Sequence, residues 1–195
     1  MANTNEILMF VDWDDTLFPT TWLKMFTIDI TNPSADMINM FESLDRLISE
    51  AIIKMRASGS IIIVSNGSNL WLQACLGVLP NFKEITETDV VSIVSARDLF
   101  ADQDNFPEDW KIIAFKILHD GRNSKKIISF GDSEKEHEAA TKLKTENNLI
   151  GNVKFIRDPT LNQIVAQLEL LTLLYLDFIE IDTDKVFNLQ EYLEV

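Results

Sequence analysis

An α/β fold, with a parallel sheet of about five strands in the middle layer and helices on both faces, is what the sequence predicts. Two observations and one rule predict it. Short apolar runs recur at Ile7–Val11, Ser60–Ser65 and Lys126–Phe130, each cut off by acidic, serine or glycine residues. Longer stretches with apolar residues at helical spacing lie between them. Strands that alternate with helices build parallel sheets buried on both faces, and such strands read as unbroken apolar runs.

The first strand is Ile7–Val11, followed directly by Asp12. The segment 17–32 mixes aromatics, prolines and threonines with no sustained period, which suits a small loop or hairpin-like flap. Asn32-Pro33 reads as the opening of a helix, with Asn as cap and Pro in the first turn. Met37, Phe41, Leu44, Ile48, Ile52 and Met55 keep its apolar stripe, and Gly59 is its terminator. Ser60–Ser65 is the second strand, and Asn69–Leu79 a short apolar helix. Val90–Ser95 is the third strand, followed by an acidic loop from Asp98 to Asp104. Pro107–His119 is a helix, Lys126–Phe130 the fourth strand and Glu134–Asn147 a helix. Asn152–Ile156 is the fifth strand, and a helix runs from Thr160 to about Leu176. The extension 177–195 fits an edge strand and a short helix.

At 195 residues the chain can bury the core of one domain spanning its whole length, and no internal repeat or low-complexity linker divides it. The formal net charge of −14 opposes binding to nucleic acid or an anionic membrane, so neither is expected as a partner. A local positive pocket remains compatible with that charge. Cys75, the single cysteine, excludes an intrachain disulfide and fits a reducing, cytoplasmic setting; its neighbours in L-W-L-Q-A-C-L make it buried filler. The opening M-A-N-T-N-E has neither a basic region nor an apolar core, so no secretory signal is expected, and no apolar stretch reaches transmembrane length.

The chemistry is concentrated where strands end. Asp12, Asp14 and Asp15 fall within four positions after the first strand. If extension persists that far, Asp12 and Asp14 project to one side, where two carboxylates repel unless a proton or a hard cation such as Mg²⁺ relieves them. An acidic surface loop is the plain alternative. A calcium loop fits less well, because Leu17 and Leu23 stand where its glycine and bidentate glutamate belong. Ser65 ends the second strand and Asp132 follows the fourth. Ligands of parallel α/β sheets sit beyond the carboxyl ends of the strands, which makes these residues one candidate site.

From about Ile7 to Pro159 the ordered set resembles the haloacid dehalogenase superfamily of phosphohydrolases, whose core is a three-layer α/β/α Rossmann-like fold. Its first motif, D-x-D-x-T, is matched by Asp12-Trp13-Asp14-Asp15-Thr16. The resemblance implies that Asp12 is the nucleophile, forming an aspartyl-phosphate, and Asp14 the general acid and base. Thr16 would support the turn, and Asp15 would be a surface or capping residue. The second motif matches Ser65, whose hydroxyl would bind a phosphoryl oxygen together with the backbone N–H groups of Asn66 and Gly67. The third motif is a lysine, and two qualify: Lys111 and Lys116. Lys111, at the head of K-I-I-A-F-K-I-L, is the better match. The fourth matches Gly131-Asp132-Ser133 and Glu136, where the family more often has Asp. The resemblance therefore implies Mg²⁺ held by Asp12, the backbone carbonyl of Asp14, and Asp132, with Ser133 and Glu136 behind them. His119 should cap a helix end and His137 face solvent.

The gaps between motifs leave little or no room for a cap domain, so the resemblance implies an open site for a phosphorylated small molecule or protein. Trp13, Phe18, Trp22 and Phe26 either line its entrance or pack the flap onto the core. A catalytically weak binding or regulatory domain is a second reading, against which both carboxylates of the first motif count. A phosphotransferase of the same superfamily is a third, which the missing cap disfavours. A receiver domain fits poorly, because its phosphorylated Asp belongs on a middle strand. The sequence carries no sign of oligomeric state.

Overall fold

The structure, a computed structural model, describes residues 6–88, 91–100, 106–107 and 109–193. Six strands form one all-parallel sheet: β1 (Ile7–Val11), β2 (Ser60–Ser65), β3 (Ser92–Ser95), β4 (Lys126–Gly131), β5 (Leu149–Lys154) and β6 (Lys185–Asn188). Their order is β3-β2-β1-β4-β5-β6. The chain steps outward from β1 through β2 to β3, then returns to the other side of β1 with β4. This reversal puts a crevice beyond the carboxyl ends of β1 and β4. Val11 lies in register with Phe130, and Asp12 N donates to Phe130 O at 2.9 Å, so the two strands end level.

Helices fill both outer layers, giving the three-layer Rossmann-like architecture. On one face, α2 (Ala35–Arg56), α3 (Asn69–Gly77), α4 (Pro80–Glu87) and α8 (Leu161–Ile179) pack with Met9 and Val11. On the other, α5 (Ala96–Phe100), α6 (Trp110–His119) and α7 (Glu134–Thr141) pack with Leu8 and Phe10. Side chains of a strand alternate between faces, so β1 feeds both cores at once. Phe10 and Phe115 stack with ring centroids 3.9 Å apart, pinning α6 to β1. Among the described residues no helix is long and apolar enough to cross a membrane.

Several boundaries differ from the sequence reading. The sheet has six strands rather than about five, the extra one being β6 in the C-terminal extension, with α9 (Leu189–Leu193) after it. The flap holds a helix, α1 (Thr20–Met25), and no hairpin. It carries Leu17, Phe18 and Leu23 into the core, and Trp13 stacks on Phe18 at 5.6 Å. Trp13 and Phe18 are therefore packing residues, Trp22 is half-buried, and Phe26 is exposed. The cap of α2 is Ser34, whose hydroxyl accepts from Met37 N, rather than Asn32. The helix ends at Arg56, ahead of Gly59. β5 begins at Leu149, earlier than Asn152, and α7 stops at Thr141. The segment after β3 opens as α5, so Asp98 is helical. Val90 and the residues from 101 to 105 lie outside the described residues. The stretch between β1 and β2 holds α1 and α2, and that between β2 and β3 holds α3 and α4.

Candidate active site

The strand conformation of β1 stops at Val11, and this decides where the first two carboxylates go. Asp12 turns toward α6 and α7, whereas Asp14 turns toward the flap and α3. Asp12 and Asp14 take separate sets of partners, yet they stay close enough for Asp14 to push the Asp12 carboxyl up. Asp15 takes φ +60 and its N–H donates to Phe18 O at 2.7 Å, closing a tight loop. Its carboxylate accepts from Thr21 N (2.8 Å) and Thr21 Oγ1 (2.5 Å), so Asp15 is a buried cap for α1, not a surface residue. Thr16 is fully buried, and its hydroxyl has no hydrogen-bond partner among the described residues.

Asp12 Oδ1 accepts from Trp13 N and from Lys111 Nζ, both at 2.7 Å. Lys111 also donates to Glu136 Oε1. All three side chains are buried. Lys111 occupies the first turns of α6, whose inner face Ala114 and Phe115 press onto the sheet, and this aims its ammonium at the end of β1. Lys116 is exposed on the same helix, so of the two lysines Lys111 is the one that reaches Asp12. Glu136 Oε2 accepts from Ser133 N (3.1 Å) and Ser133 Oγ (2.5 Å), closing a capping box at the start of α7. A Cβ on Gly131 would stand 2.8 Å from Glu136 Cγ, so glycine there leaves room for the glutamate to fold back.

Asp12, Asp132 and Glu136 bring carboxylate oxygens within 4.8 Å of one another, close enough to hold a metal ion. Their charges outnumber the one on Lys111. Burial drives the Asp12 carboxyl well above its ordinary range; Lys111 opposes this, and Glu136, Asp132 and Asp14 add to it. Burial, then Glu136, push Asp132 up to about 6. Burial would lower the Lys111 ammonium, but Asp12 and Glu136 together hold it above its ordinary value. Burial would likewise raise Glu136, yet Lys111 holds it below its ordinary value. A set of buried oxygen donors with excess negative charge fits a hard divalent cation.

Asp14 is clamped from three sides. Oδ1 accepts from Thr20 Oγ1 (2.6 Å) and Trp71 Nε1 (2.9 Å), and Oδ2 accepts from Ser65 Oγ (2.7 Å). Ser65 in turn accepts from Gly67 N at 2.8 Å, and Ser95 Oγ at the end of β3 donates to Gly67 O at 2.7 Å. A Cβ on Gly67 would come within 2.7 Å of Trp71 Cδ1, so only glycine lets Trp71 reach Asp14 here. Asn66 is exposed at the mouth, lining a cleft of about 400 Å³ with Asp14, Lys24, Ser68, Trp71 and Arg97.

The structure thus gathers Asp12, Lys111 and Glu136, which are buried, with the half-buried Asp132 and Ser133 in one cluster, and Asp14, Ser65 and Asn66 around the adjoining cleft. Sequence reasoning missed Thr20, Trp71 and Ser95. Ser95 ends a strand, as Ser65 does, and that position was the available signal. Trp71 sat in an apolar helix with nothing to mark its indole N–H. His137 is buried, not solvent-facing; its Nδ1 lies 3.1 Å from Ser129 Oγ because α7 presses that face onto β4. His119 closes α6, and Cys75 is buried and free.

No family model, curated protein or solved structure matches this chain.

Proposed function

We propose that the protein is a haloacid-dehalogenase-like phosphatase that hydrolyses phosphate monoesters through an aspartyl-phosphate on Asp12. The observation that carries this reading is the pairing of Asp12 with Lys111 beside Asp132, next to an Asp14 held by Thr20, Trp71 and Ser65. The carboxylate of Asp12 attacks phosphorus as the ester bond to the leaving oxygen breaks, and Asp14 gives that oxygen its proton. Asp14 then takes a proton from water; the resulting hydroxide displaces Asp12 from phosphorus, freeing inorganic phosphate. Lys111 balances charge on Asp12 and on the phosphoryl oxygens. The N–H of Asn66 receives a remaining oxygen, and Ser65 Oγ and Gly67 N turn to the phosphoryl group by giving up their bonds to Asp14 Oδ2 and Ser65 Oγ.

Mg²⁺ is the cation we assign, held by Asp12, Asp132 and the backbone carbonyl of Asp14 with Glu136 close by, and when bound it supplies positive charge to nucleophile and phosphate. The excess of buried carboxylates over Lys111 supports that assignment, as Asp12 must be ionised to attack. A lone, buried Cys75 is in keeping with a cytoplasmic setting.

The test is turnover of an aryl phosphate with and without Mg²⁺. Wild type should be active only with the ion, and Asp12→Asn should be inactive while remaining folded. Activity retained by Asp12→Asn removes the nucleophile assignment. Silence of the wild type across phosphorylated sugars, nucleotides and peptides would favour a binding or regulatory role instead.

A further inference from the structure

Asp14 lines a cleft of about 400 Å³ whose walls also carry Lys24 and Arg97. The two cations come from different parts of the chain: Lys24 from α1 in the flap, Arg97 from α5 after β3. Both are exposed, and neither has an ion-pair partner among the described residues. In this chain of net charge −14, Lys116, Arg122, Lys126 and Lys185 likewise have no ion pair among the described residues, but none of them lines the cleft. Most of the chain's lysines and arginines, Arg46, Lys54, Lys125 and Lys154 among them, stand in ion pairs. The carboxylate next to Arg97 in sequence is committed elsewhere, as Asp98 Oδ2 accepts from Asn69 N at 2.6 Å. Trp71 forms a further wall, its ring edge fixed by the bond to Asp14.

We infer that this cleft receives the leaving group of the substrate, and that Lys24 and Arg97 bind a second anionic group, phosphate or carboxylate, which that leaving group carries. The inference rests on the phosphatase reading above. An acid that protonates the leaving oxygen must touch it, so the body of the leaving group lies on the side that Asp14 opens to. Two unpaired cations there attract an anion more than a neutral sugar, and the guanidinium offers two parallel donors to either kind of oxyanion. Trp71 gives a carbon skeleton an apolar surface. The cleft volume suits a small molecule, and the chain's net charge of −14 disfavours an acidic peptide. The substrate class is therefore a small phosphate monoester with a second anion.

The experiment compares kcat/KM for phenyl phosphate, 3-carboxyphenyl phosphate and benzene-1,3-diyl bisphosphate, in wild type, Lys24→Ala, Arg97→Ala and the double variant. Both side chains are exposed, so the variants should fold. Wild type should favour the doubly anionic esters by roughly tenfold or more, chiefly through KM, and the double variant should lose most of that ratio. The carboxylate and bisphosphate arms tell which anion is preferred. An equal ratio in wild type and double variant, or a phosphopeptide outcompeting all three esters, overturns the inference. Binding of benzylphosphonate against 3-carboxybenzylphosphonate gives a readout without turnover. Selective binding of the carboxylated analogue with no hydrolysis of any ester would overturn the phosphatase reading alone. Hydrolysis without selectivity would overturn the second-anion site alone.

Discussion

Lys111 on α6 and Glu136 on α7 are joined side chain to side chain in the interior, and Glu136 does two jobs at once. One oxygen takes the lysine; the other closes the cap of its own helix on Ser133. Aspartate is one methylene shorter and cannot span both. Glu136→Asp should keep one contact and lose about 1 kcal/mol, the worth of a helix cap. Glu136→Gln keeps the reach but leaves Lys111 with a single ionised partner, and should cost about 2 kcal/mol. Since Lys111 holds Glu136 below its ordinary 4.5, this stabilisation is present above that value and fades as pH falls through the lowered one. Urea unfolding at pH 7 and pH 3.5 reads both effects. An aspartate variant as stable as wild type would show that the double contact contributes nothing.

Asp132 should behave in the opposite sense when divalent ions are chelated. Burial and Glu136 lift its folded value to about 6, against an ordinary aspartate value of 3.8. Between those values the folded chain keeps a proton that the unfolded chain has lost. Stability therefore falls as pH rises through this window. Asp132→Asn removes the penalty, so in chelator at pH 7 it should be more stable than wild type by about 1–2 kcal/mol, with the gap closing near pH 4. Added Mg²⁺ should stabilise wild type and leave the variant nearly unmoved. Thermal midpoints in chelator and in Mg²⁺ give the answer, and a variant less stable than wild type at pH 7 would refute it.

The indole of Trp71 should matter to rate more than to fold. Trp71→Phe keeps an aromatic ring against Phe18, whose ring centroid is 6.0 Å from that of Trp71, but deletes the donor to Asp14 Oδ1. Thr20 and Ser65 still hold Asp14, but an acid fixed by two bonds rather than three is misplaced in part of its encounters. We expect kcat to fall roughly tenfold with little change in melting temperature. Gly67→Ala should do comparable damage by a different route, because its Cβ would displace Trp71 or Ser65. A Phe variant with unaltered kcat would make the bond incidental.

The strands and the site differ in how they could be read from the sequence. β1, β2 and β4 were legible because strands buried on both faces admit few polar residues, so their ends are abrupt. Those abrupt ends also exposed Asp12, Ser65 and Asp132. β5 was misplaced because Gly151 and Asn152 interrupt its apolar run, although the sheet buries both. Lys111 could be ranked above Lys116 by its place on the helix. Thr20, Trp71, Lys24 and Arg97 could not be found, as their nearness to Asp14 depends on how the flap folds over and how α3 is rotated. Neither leaves a period in the sequence.

Asp45 shows the same limit within the core, and it gives the sharpest stability prediction. It lies on the inner face of α2 with no exposed surface, beside Leu44 and Leu47 in a stripe that is apolar apart from it and Ser49. α4 begins at Pro80 after Leu79, which has no side chain able to cap it. Asp45 supplies the cap from the neighbouring helix: it accepts from Asn81 N (2.9 Å), Asn81 Nδ2 (2.8 Å) and Phe82 N (2.8 Å). A carboxylate on the N-terminal N–H groups of a helix also meets the positive end of its dipole. Asp45→Ala strands those buried donors and should cost about 3 kcal/mol, while Asp45→Asn, which keeps one acceptor oxygen, should cost about half as much. Because Asp45 bonds to α4 and Ser49 and to none of the site residues, the rate per folded molecule should stay near that of wild type. Urea midpoints set against specific activity separate the two effects, and an alanine variant within about 0.5 kcal/mol of wild type would show that the cap is dispensable.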